Sequence, residues 1–200
     1  MDVELDLINA MLAAIGSAAV SSTAGRHPGV LRSAPILSRT NRSIQARGHW
    51  FNTDWCLPIQ GSDINEFILP DSTLKADTTD KSLPYVRRGR QLYDPRKHTF
   101  QIDVATINLD VVILLGYSDL PEAAVDLIRA TAIWELVQNS DMDSISLQSR
   151  AQALSMAKQA FQTERLSQAD YSIRTNPNYA RIMGGLTQRF SMNSPNSIGG

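Results

Sequence analysis

The spacing of apolar residues changes twice along this 200-residue chain, and these two changes constrain its fold most strongly. In residues 3–15 and from about residue 31 to residue 47, apolar residues recur at helical intervals, and residues 17–29 between them are predicted to form a loop. Residues 49–117 instead show alternating and β-branched patterns between turn signals, and helical spacing returns near Ser118. The sequence therefore predicts two helices, a β-rich insertion, two further helices and a tail.

The first two helices are predicted at residues 3–15 and from about residue 31 to residue 47. Asp2 is in position to cap the first helix, and Gly16 ends it. In the second helix, Pro35 either kinks a long helix or marks the first turn of a shorter one, and the second alternative is favoured. Gly48 stands where a helix C-terminus favours a residue that tolerates positive φ.

The β-rich insertion is predicted to contain several short strands separated by turns. A hairpin around Gly89 and Arg90 joins two of them. Trp50 and Phe51 are predicted to lie in the core of this insertion. The predicted strands are residues 49–54, 65–68, 74–77, 85–88, 91–93, 99–104 and 108–114.

The C-terminal third of the chain is predicted to hold two helices followed by a tail. The third helix begins near Ser118, with Pro121 in its first turn, and the fourth runs from about residue 145 to residue 169. Residues 171–200 are rich in Asn, Ser, Gly and Pro, which is typical of a linker or tail rather than of a helix or strand.

The predicted fold class is therefore α+β. It is a bundle of about four helices with a β-rich insertion between helices 2 and 3 and an extended C-terminal tail. Residues 1–48 and 118–170 are assigned to the helical domain, residues 49–117 to the insertion and residues 171–200 to the tail.

Composition excludes several general classes of function. The formal net charge of -1 gives no overall attraction to nucleic acid or to an anionic membrane. The longest apolar run, residues 111–115, is far shorter than the roughly 20 residues needed to cross a bilayer, so no membrane insertion is predicted. The acidic N-terminus argues against a signal peptide, and the single cysteine, Cys56, fits a reducing compartment.

Sequence motifs predict no catalytic, cofactor-binding or metal site. His27, His49 and His98 have no second ligand at a metal-binding spacing. Gly-rich phosphate loops and a serine nucleophile elbow are not found in the sequence. Cys56 carries no nucleophile signature and is predicted to be a buried thiol.

Aspartates in the β-rich insertion leave one enzymatic alternative open. Two carboxylates about 5–10 Å apart can hydrolyse a glycoside, although solvated turn aspartates are the simpler interpretation. The alternative function is thus a polysaccharide-degrading protein, a glycoside hydrolase. Its candidate carboxylates are Asp77, Asp80, Asp94, Asp103 and Asp110.

A basic cluster around the predicted hairpin leaves a second alternative open. Aromatic residues interleave with the basic ones, which is a pattern of nucleic-acid surfaces. The favoured interpretation is a charged hairpin edge that resists aggregation or pairs with acidic groups of a partner. The basic residues are Arg87, Arg88, Arg90, Arg96 and Lys97, and the aromatic ones are Tyr85, Tyr93 and Phe100.

Residues 41–52, NRSIQARGHWFN, carry a family resemblance. The segment resembles a phrase of the tail tubular protein A family of short-tailed podophages of the Autographiviridae type. In that family a helix ends in a phrase like Asn-Arg-x-Ile-Gln-x-Arg-Gly-Trp. The matching positions here are Asn41, Arg42, Ile44, Gln45, Arg47, Gly48 and, after an inserted His49, Trp50.

Three further phrases support the resemblance over residues 5–170. They are Ile15–Gly16 followed by Val20, Ser21 and Ser22; Tyr85, Val86, Arg88 and Gly89 followed by Leu92, Tyr93 and Asp94; and Asp119, Leu120, Pro121 and Glu122. The chain departs from the family pattern at Pro35 and in its long tail after Tyr171.

The resemblance implies a structural virion protein that is not an enzyme and needs no cofactor. Such a protein is a head-to-tail adaptor, expected in a closed ring of about twelve copies. The implied partners are the portal protein, the tail nozzle formed by tail tubular protein B, the tail fibre protein and the genomic DNA that passes through the channel. The implied location is the virion tail, assembled in the host cytoplasm.

Interaction residues are predicted in three places along the chain. The tail carries apolar anchors and arginines but no carboxylate side chains, which favours docking on an acidic or apolar partner surface. The helix end and the hairpin contribute arginines. The predicted interaction residues are Arg42, Arg47, Arg87, Arg88, Tyr179, Arg181, Ile182 and Phe190.

Overall fold

Four α-helices and five β-strands are found in residues 2–24, 27–138 and 144–175, which are the residues that the computed structural model of the protein describes. The predicted α+β class, with β structure between helices 2 and 3, is confirmed. A 3-10 turn, Tyr117–Asp119, precedes the third helix. The helices are α1 (Val3–Ala14), α2 (Pro28–Gln45), α3 (Glu122–Val137) and α4 (Ser144–Thr175), and the strands are β1 (Thr53–Gln60), β2 (Thr73–Thr78), β3 (Val86–Arg88), β4 (Gln91–Tyr93) and β5 (Thr106–Ile113).

Side chains cap the first two helices. The carboxylate of Asp2 accepts a hydrogen bond from the Glu4 backbone N–H at 3.1 Å, as the sequence predicts for α1. His27 caps α2 in the same way, with its ring Nδ1 accepting from the Gly29 N–H at 3.2 Å. These contacts satisfy backbone donors that a helix N-terminus otherwise leaves unpaired.

The prediction that Pro35 marks the first turn of a shorter helix is wrong. Helix α2 begins at Pro28, and Pro35 lies inside it. Pro35 has no N–H to donate to the carbonyl group of Leu31 one turn earlier. Because Pro35 and Leu31 are both exposed, water can hydrate that carbonyl group, and the helix continues.

The strands form an antiparallel three-stranded sheet of order β1-β5-β2 and a separate β3-β4 hairpin. Predicted strands 74–77, 85–88, 91–93 and 108–114 are confirmed, as is the hairpin turn. The prediction of a strand at residues 49–54 is largely wrong, because β1 begins at Thr53 and continues through Pro58. Strand β1 lies at the end of its sheet, where proline is tolerated.

Predicted strands 65–68 and 99–104 are also wrong, since they form only isolated bridges such as Glu66–Gln101. The alternation of apolar and polar residues in these two segments reflects burial, because Phe67 and Ile102 are almost fully buried in the β core. An alternating pattern reports which side chains face inward, whereas a strand also needs a neighbour along its whole length.

Two groups of buried apolar residues stabilise the fold. The helical core contains Leu7, Ile8, Met11 and Leu12 of α1, with residues of α2, α3 and α4 packed around them. The β core, which contains Phe67, lies among the strands of the insertion. Each group buries side chains on one face of its elements, which is the main source of folding free energy.

Residues 144–161 of α4 belong to the same compact unit as the preceding helices and strands, and residues 162–175 of α4 belong to a second unit. Residues 171–175 are helical, which corrects the prediction that they belong to an irregular tail. The remainder of the predicted tail, residues 176–200, lies outside the described residues.

Candidate functional site

The segment that joins α2 to β1 contains a buried group of amide side chains, here called the junction network: Asn41, Gln45 and Asn52. Gln45 is fully buried. Its Nε2 donates to Asn41 Oδ1 at 2.8 Å and to the Leu115 carbonyl oxygen at 3.0 Å. Its Oε1 accepts from the Leu115 N–H at 2.9 Å. The Gln45 side chain therefore forms hydrogen bonds with both the N–H and the carbonyl group of Leu115, which lies between the end of β5 and the helices that follow.

Asn52 completes the junction network from the strand side. Its Nδ2 donates to the carbonyl oxygens of Gln45 at 3.0 Å and Ile113 at 2.9 Å. Its Oδ1 accepts from the His49 N–H at 2.8 Å, and its own carbonyl accepts from the Ile113 N–H at 2.9 Å. The end of α2 is thus fixed to the end of β5, so the helical part and the insertion are joined at two crossings of the chain.

Asn41 connects the junction network to Tyr117. Burial, and after it the nearby Glu4 carboxylate, raise the pKa of Tyr117 to about 12, while a hydrogen bond with Asn41 acts to lower it. Tyr117 therefore remains a neutral phenol across physiological pH. It acts as a structural hydrogen-bonding group rather than as an acid or base.

Gly48 ends the α2 segment as predicted, in a left-handed conformation with φ of 74°. A Cβ atom at this position would lie 3.1 Å from Val112 Cγ2 of β5. Both the backbone conformation and the close approach of β5 favour glycine here.

Four aromatic rings attach the first part of α4 to the junction, and they are here called the aromatic anchor: His49, Trp50, Phe51 and Phe161. Phe161 is 3% exposed. Its ring centroid lies 5.0 Å from that of His49 and 5.3 Å from that of Trp50. Trp50 and Phe51 pack against the helical core, so the prediction that they form the core of the insertion is wrong.

The arginines of the β3-β4 hairpin are largely engaged within the protein. Arg87 Nη1 donates to the Leu74 carbonyl oxygen at 2.7 Å, and the guanidinium of Arg88 lies 3.6 Å from the centre of the Tyr93 ring. Arg90 pairs with Asp71 at 2.7 Å. These contacts stabilise the hairpin edge and lower the number of cations available for a nucleic-acid backbone.

The aspartates considered for glycoside hydrolysis also make structural contacts. Asp94 Oδ1 accepts from the N–H groups of Arg96 and Lys97 at 2.8 and 3.1 Å, which is a turn geometry. Asp77 and Asp110 are paired across β2 and β5, and Asp77 forms an ion pair with Lys75 at 2.6 Å.

The carboxylate of Asp110 fixes an irregular point of β1. Its Oδ1 accepts from the Thr79 hydroxyl at 2.7 Å and from the Cys56 N–H at 3.1 Å. The pairing of β1 with β5 shifts between Asp54 and Leu57, which marks a β-bulge. Cys56 has a φ of 55° and is exposed, so the prediction of a buried thiol is wrong. Bulges turn side chains outward, and this one leaves the thiol in solvent.

Asp110 gives the fold a pH dependence at acidic pH. The hydrogen bond from Thr79 and then that from Cys56 hold the pKa of Asp110 below its usual range. The stabilisation is therefore complete above about pH 4 and is lost as the pH falls through the folded-state pKa. In denaturant titrations from pH 6 to pH 2, the difference in unfolding free energy between wild type and Asp110→Asn should shrink. The exposed Asp103→Asn is the control, and a difference independent of pH contradicts this.

The predicted interaction residues lie in different places. Arg42 and Arg47 are exposed on and just after α2, and neither belongs to the junction network. Tyr179, Arg181, Ile182 and Phe190 lie outside the described residues. The two arginines were predicted from the sequence as interaction residues, whereas the role of the buried amides beside them was not predicted. The sequence did contain a pattern that indicates buried amides. Asn41 and Gln45 are four residues apart and share a helix face with the apolar residue Leu37.

The described ranges also bear on membrane and metal sites. Among these residues, no helix is long and apolar enough to cross a membrane. In the same residues, no group of three His, Cys, Asp or Glu side chains is arranged to hold a metal ion.

The family model described as tail tubular protein matches residues 5–176, which is most of the chain. No curated protein is significantly similar to the chain in sequence.

Proposed function

The chain belongs to the tail tubular protein family of structural phage-tail components, and from this premise we propose that it is a subunit of the head-to-tail adaptor ring. The ring joins the capsid portal to the tail nozzle formed by tail tubular protein B, seats the tail fibres and leaves a channel for genomic DNA. The family match over residues 5–176 is the observation that carries this proposal.

The junction network supports an assembly role. A ring subunit that transmits force between head and tail needs its two parts held in a fixed arrangement. Buried, fully paired amides such as Gln45 and Asn52 specify one arrangement more strictly than apolar packing does. The family phrase therefore serves the rigidity of the subunit, and its most buried side chains perform no reaction.

The carboxylates of the insertion support a role other than glycoside hydrolysis. A glycosidase needs one carboxyl group whose pKa is raised, so that it can donate a proton. The pKa of Asp110 is lowered by its hydrogen bonds, and Asp77 is paired with Lys75. Asp110 is thus held as a carboxylate and cannot serve as that proton donor, and we propose that the protein is not an enzyme.

A ring of identical subunits places a constraint on their surfaces. Each contact must join one surface of a copy to a different surface of the next, and about twelve such contacts close the ring. We propose that assembly takes place in the host cytoplasm and that the product is part of the virion tail. Arg42, Arg47, Arg87 and Arg88 are proposed to contact neighbouring subunits.

Native mass spectrometry of mixtures with purified partners tests the adaptor role directly. Purified protein is mixed with purified portal and, separately, with purified nozzle protein, and the complexes are weighed by native mass spectrometry. We expect a multi-copy ring that binds both partners. A chain that stays monomeric and joins neither partner contradicts the adaptor role.

The C-terminal tail is expected to be needed for attachment rather than for folding. Deleting residues 176–200 removes Tyr179, Arg181, Ile182 and Phe190 but leaves α4 intact. We expect an unchanged thermal midpoint and at least a tenfold loss in affinity for a neighbouring subunit or the portal, because buried aromatic and arginine anchors dominate interface energies. Unchanged attachment means that the tail is not a docking element.

A further inference from the structure

Trp55 is an apolar side chain held out in solvent by a specific local structure. It is 74% exposed, although tryptophan is among the side chains that gain most from burial. It lies in the β1 bulge, beside Cys56 with its φ of 55°, and the Asp110 carboxylate holds this geometry through the Cys56 N–H. A strained, carboxylate-fixed bulge that presents a tryptophan is typical of a binding anchor.

A groove between α3 and α4 offers a matching cavity. Its volume is about 450 Å³, within the range of pockets that enclose a ligand. Alanines line much of it, so the space between the two helices is left unfilled. Met156, 63% exposed, forms part of its wall and is a flexible side chain suited to packing on an aromatic ring. The alanines are Ala130, Ala153, Ala157 and Ala160.

Charges beside Trp55 and beside the groove are complementary. Asp54 precedes Trp55 and is exposed, while Arg150 lines the groove. Within residues 2–24, 27–138 and 144–175, neither side chain has an ion-pair partner. The other two charges of the groove, Asp126 and Arg129, pair with each other at 2.9 Å. An aspartate entering with the tryptophan would therefore meet an uncompensated arginine.

We propose that Trp55 of one copy of this chain inserts into the α3-α4 groove of the next copy, with Asp54 facing Arg150. The inference rests on the proposed ring, because it names the two surfaces that such a ring must bring together. The contact is heterologous: anchor and groove are different surfaces of the same chain, so each copy offers one of each. Repetition of the contact builds a ring.

Two single substitutions test the two surfaces separately. Trp55→Ala removes the anchor, and Ala153→Lys puts a long charged side chain into the groove at an exposed alanine. Each should raise the protein concentration for half-assembly, measured by sedimentation velocity, at least about 30-fold. Gln60→Ala on β1 and Ser155→Lys on α4 alter exposed residues away from the contact and should assemble as wild type does. Circular dichroism and thermal melting verify that every variant is folded.

Mixing the two defective chains gives a result that a general loss of stability cannot produce. Trp55→Ala keeps its groove and Ala153→Lys keeps its tryptophan, so one contact can form between them. No surface remains to add a third copy. At a protein concentration too low for either variant to assemble alone, equal amounts should form a 1:1 heterodimer and nothing larger.

Charge reversal tests the ion pair. Asp54→Lys and Arg150→Glu should each weaken assembly, and both changes in one chain should restore much of it, which shows coupling between the two sites.

The possible outcomes separate this inference from the adaptor role. If wild type assembles and either Trp55→Ala or Ala153→Lys assembles equally well, the proposed pairing of these two surfaces is wrong. The adaptor role is not affected by that result. A mixture without heterodimer also overturns the pairing. Wild-type protein that neither oligomerises nor binds portal overturns both proposals.

Discussion

Replacing Gln45 with leucine is expected to lower the free energy of unfolding by about 3 kcal/mol. Leucine fills a similar volume but leaves the N–H of Leu115 and the side chain of Asn41 without their present partners in a buried site. Each unpaired buried group costs about 1–3 kcal/mol. Urea denaturation followed by circular dichroism measures the change.

The neighbouring Ser43→Ala serves as the control for Gln45→Leu. Ser43 is exposed on the same helix, and its replacement should change stability by no more than about 0.5 kcal/mol. If Gln45→Leu costs less than about 1 kcal/mol, the junction network does not hold the two parts of the chain together.

Replacing Phe161 with alanine is expected to cost about 3–5 kcal/mol and to release the first part of α4 from the junction. The Phe161 ring is almost fully buried among the rings of His49, Trp50 and Phe51, and no other aromatic residue of α4 within residues 144–168 can replace it. Hydrogen exchange should show faster exchange in residues 144–160, together with a lower urea midpoint.

Lys158→Ala is the matched control for Phe161→Ala, because Lys158 is exposed on the same helix. It should leave both the exchange rates and the urea midpoint near their wild-type values. Unchanged protection of residues 144–160 in Phe161→Ala contradicts the assigned role of the aromatic anchor.

Elements defined by local signals were predictable from the sequence. Helix α1 follows from its cap and apolar spacing, and the β3-β4 hairpin follows from the turn at Gly89. Gly48 was predictable because a left-handed helix end needs a residue without Cβ. In each case the information lies within a few residues of the structure it specifies.

Features that depend on distant partners were not predictable. Pro35 stays inside α2 because that side of the helix is exposed, and exposure is a property of the folded chain. The bulge at Cys56 depends on the carboxylate of Asp110, which is 54 residues away. Trp50 and Phe51 were assigned to the wrong core because their packing partner, Phe161, lies in α4.

The candidate site also combines features that were predictable from local sequence with features that depend on distant residues. Residues 41–52 were recognisable as a family phrase, and the exposed arginines in it were predicted as contacts. The role of the amides required knowledge that Gln45 faces Leu115, which is 70 residues further along the chain. Charge and exposure direct attention to a surface, whereas buried polar pairing emerges only from the tertiary structure.

The central claim is that this family member works as a closed ring between head and tail. Native mass spectrometry of the purified protein, alone and with portal, tests it most directly. We predict one dominant assembly that binds portal as a unit, with a mass of about 265 kDa for about twelve copies of the 22.1 kDa chain. A 22.1 kDa monomer that gains no mass at any concentration or in the presence of portal contradicts it.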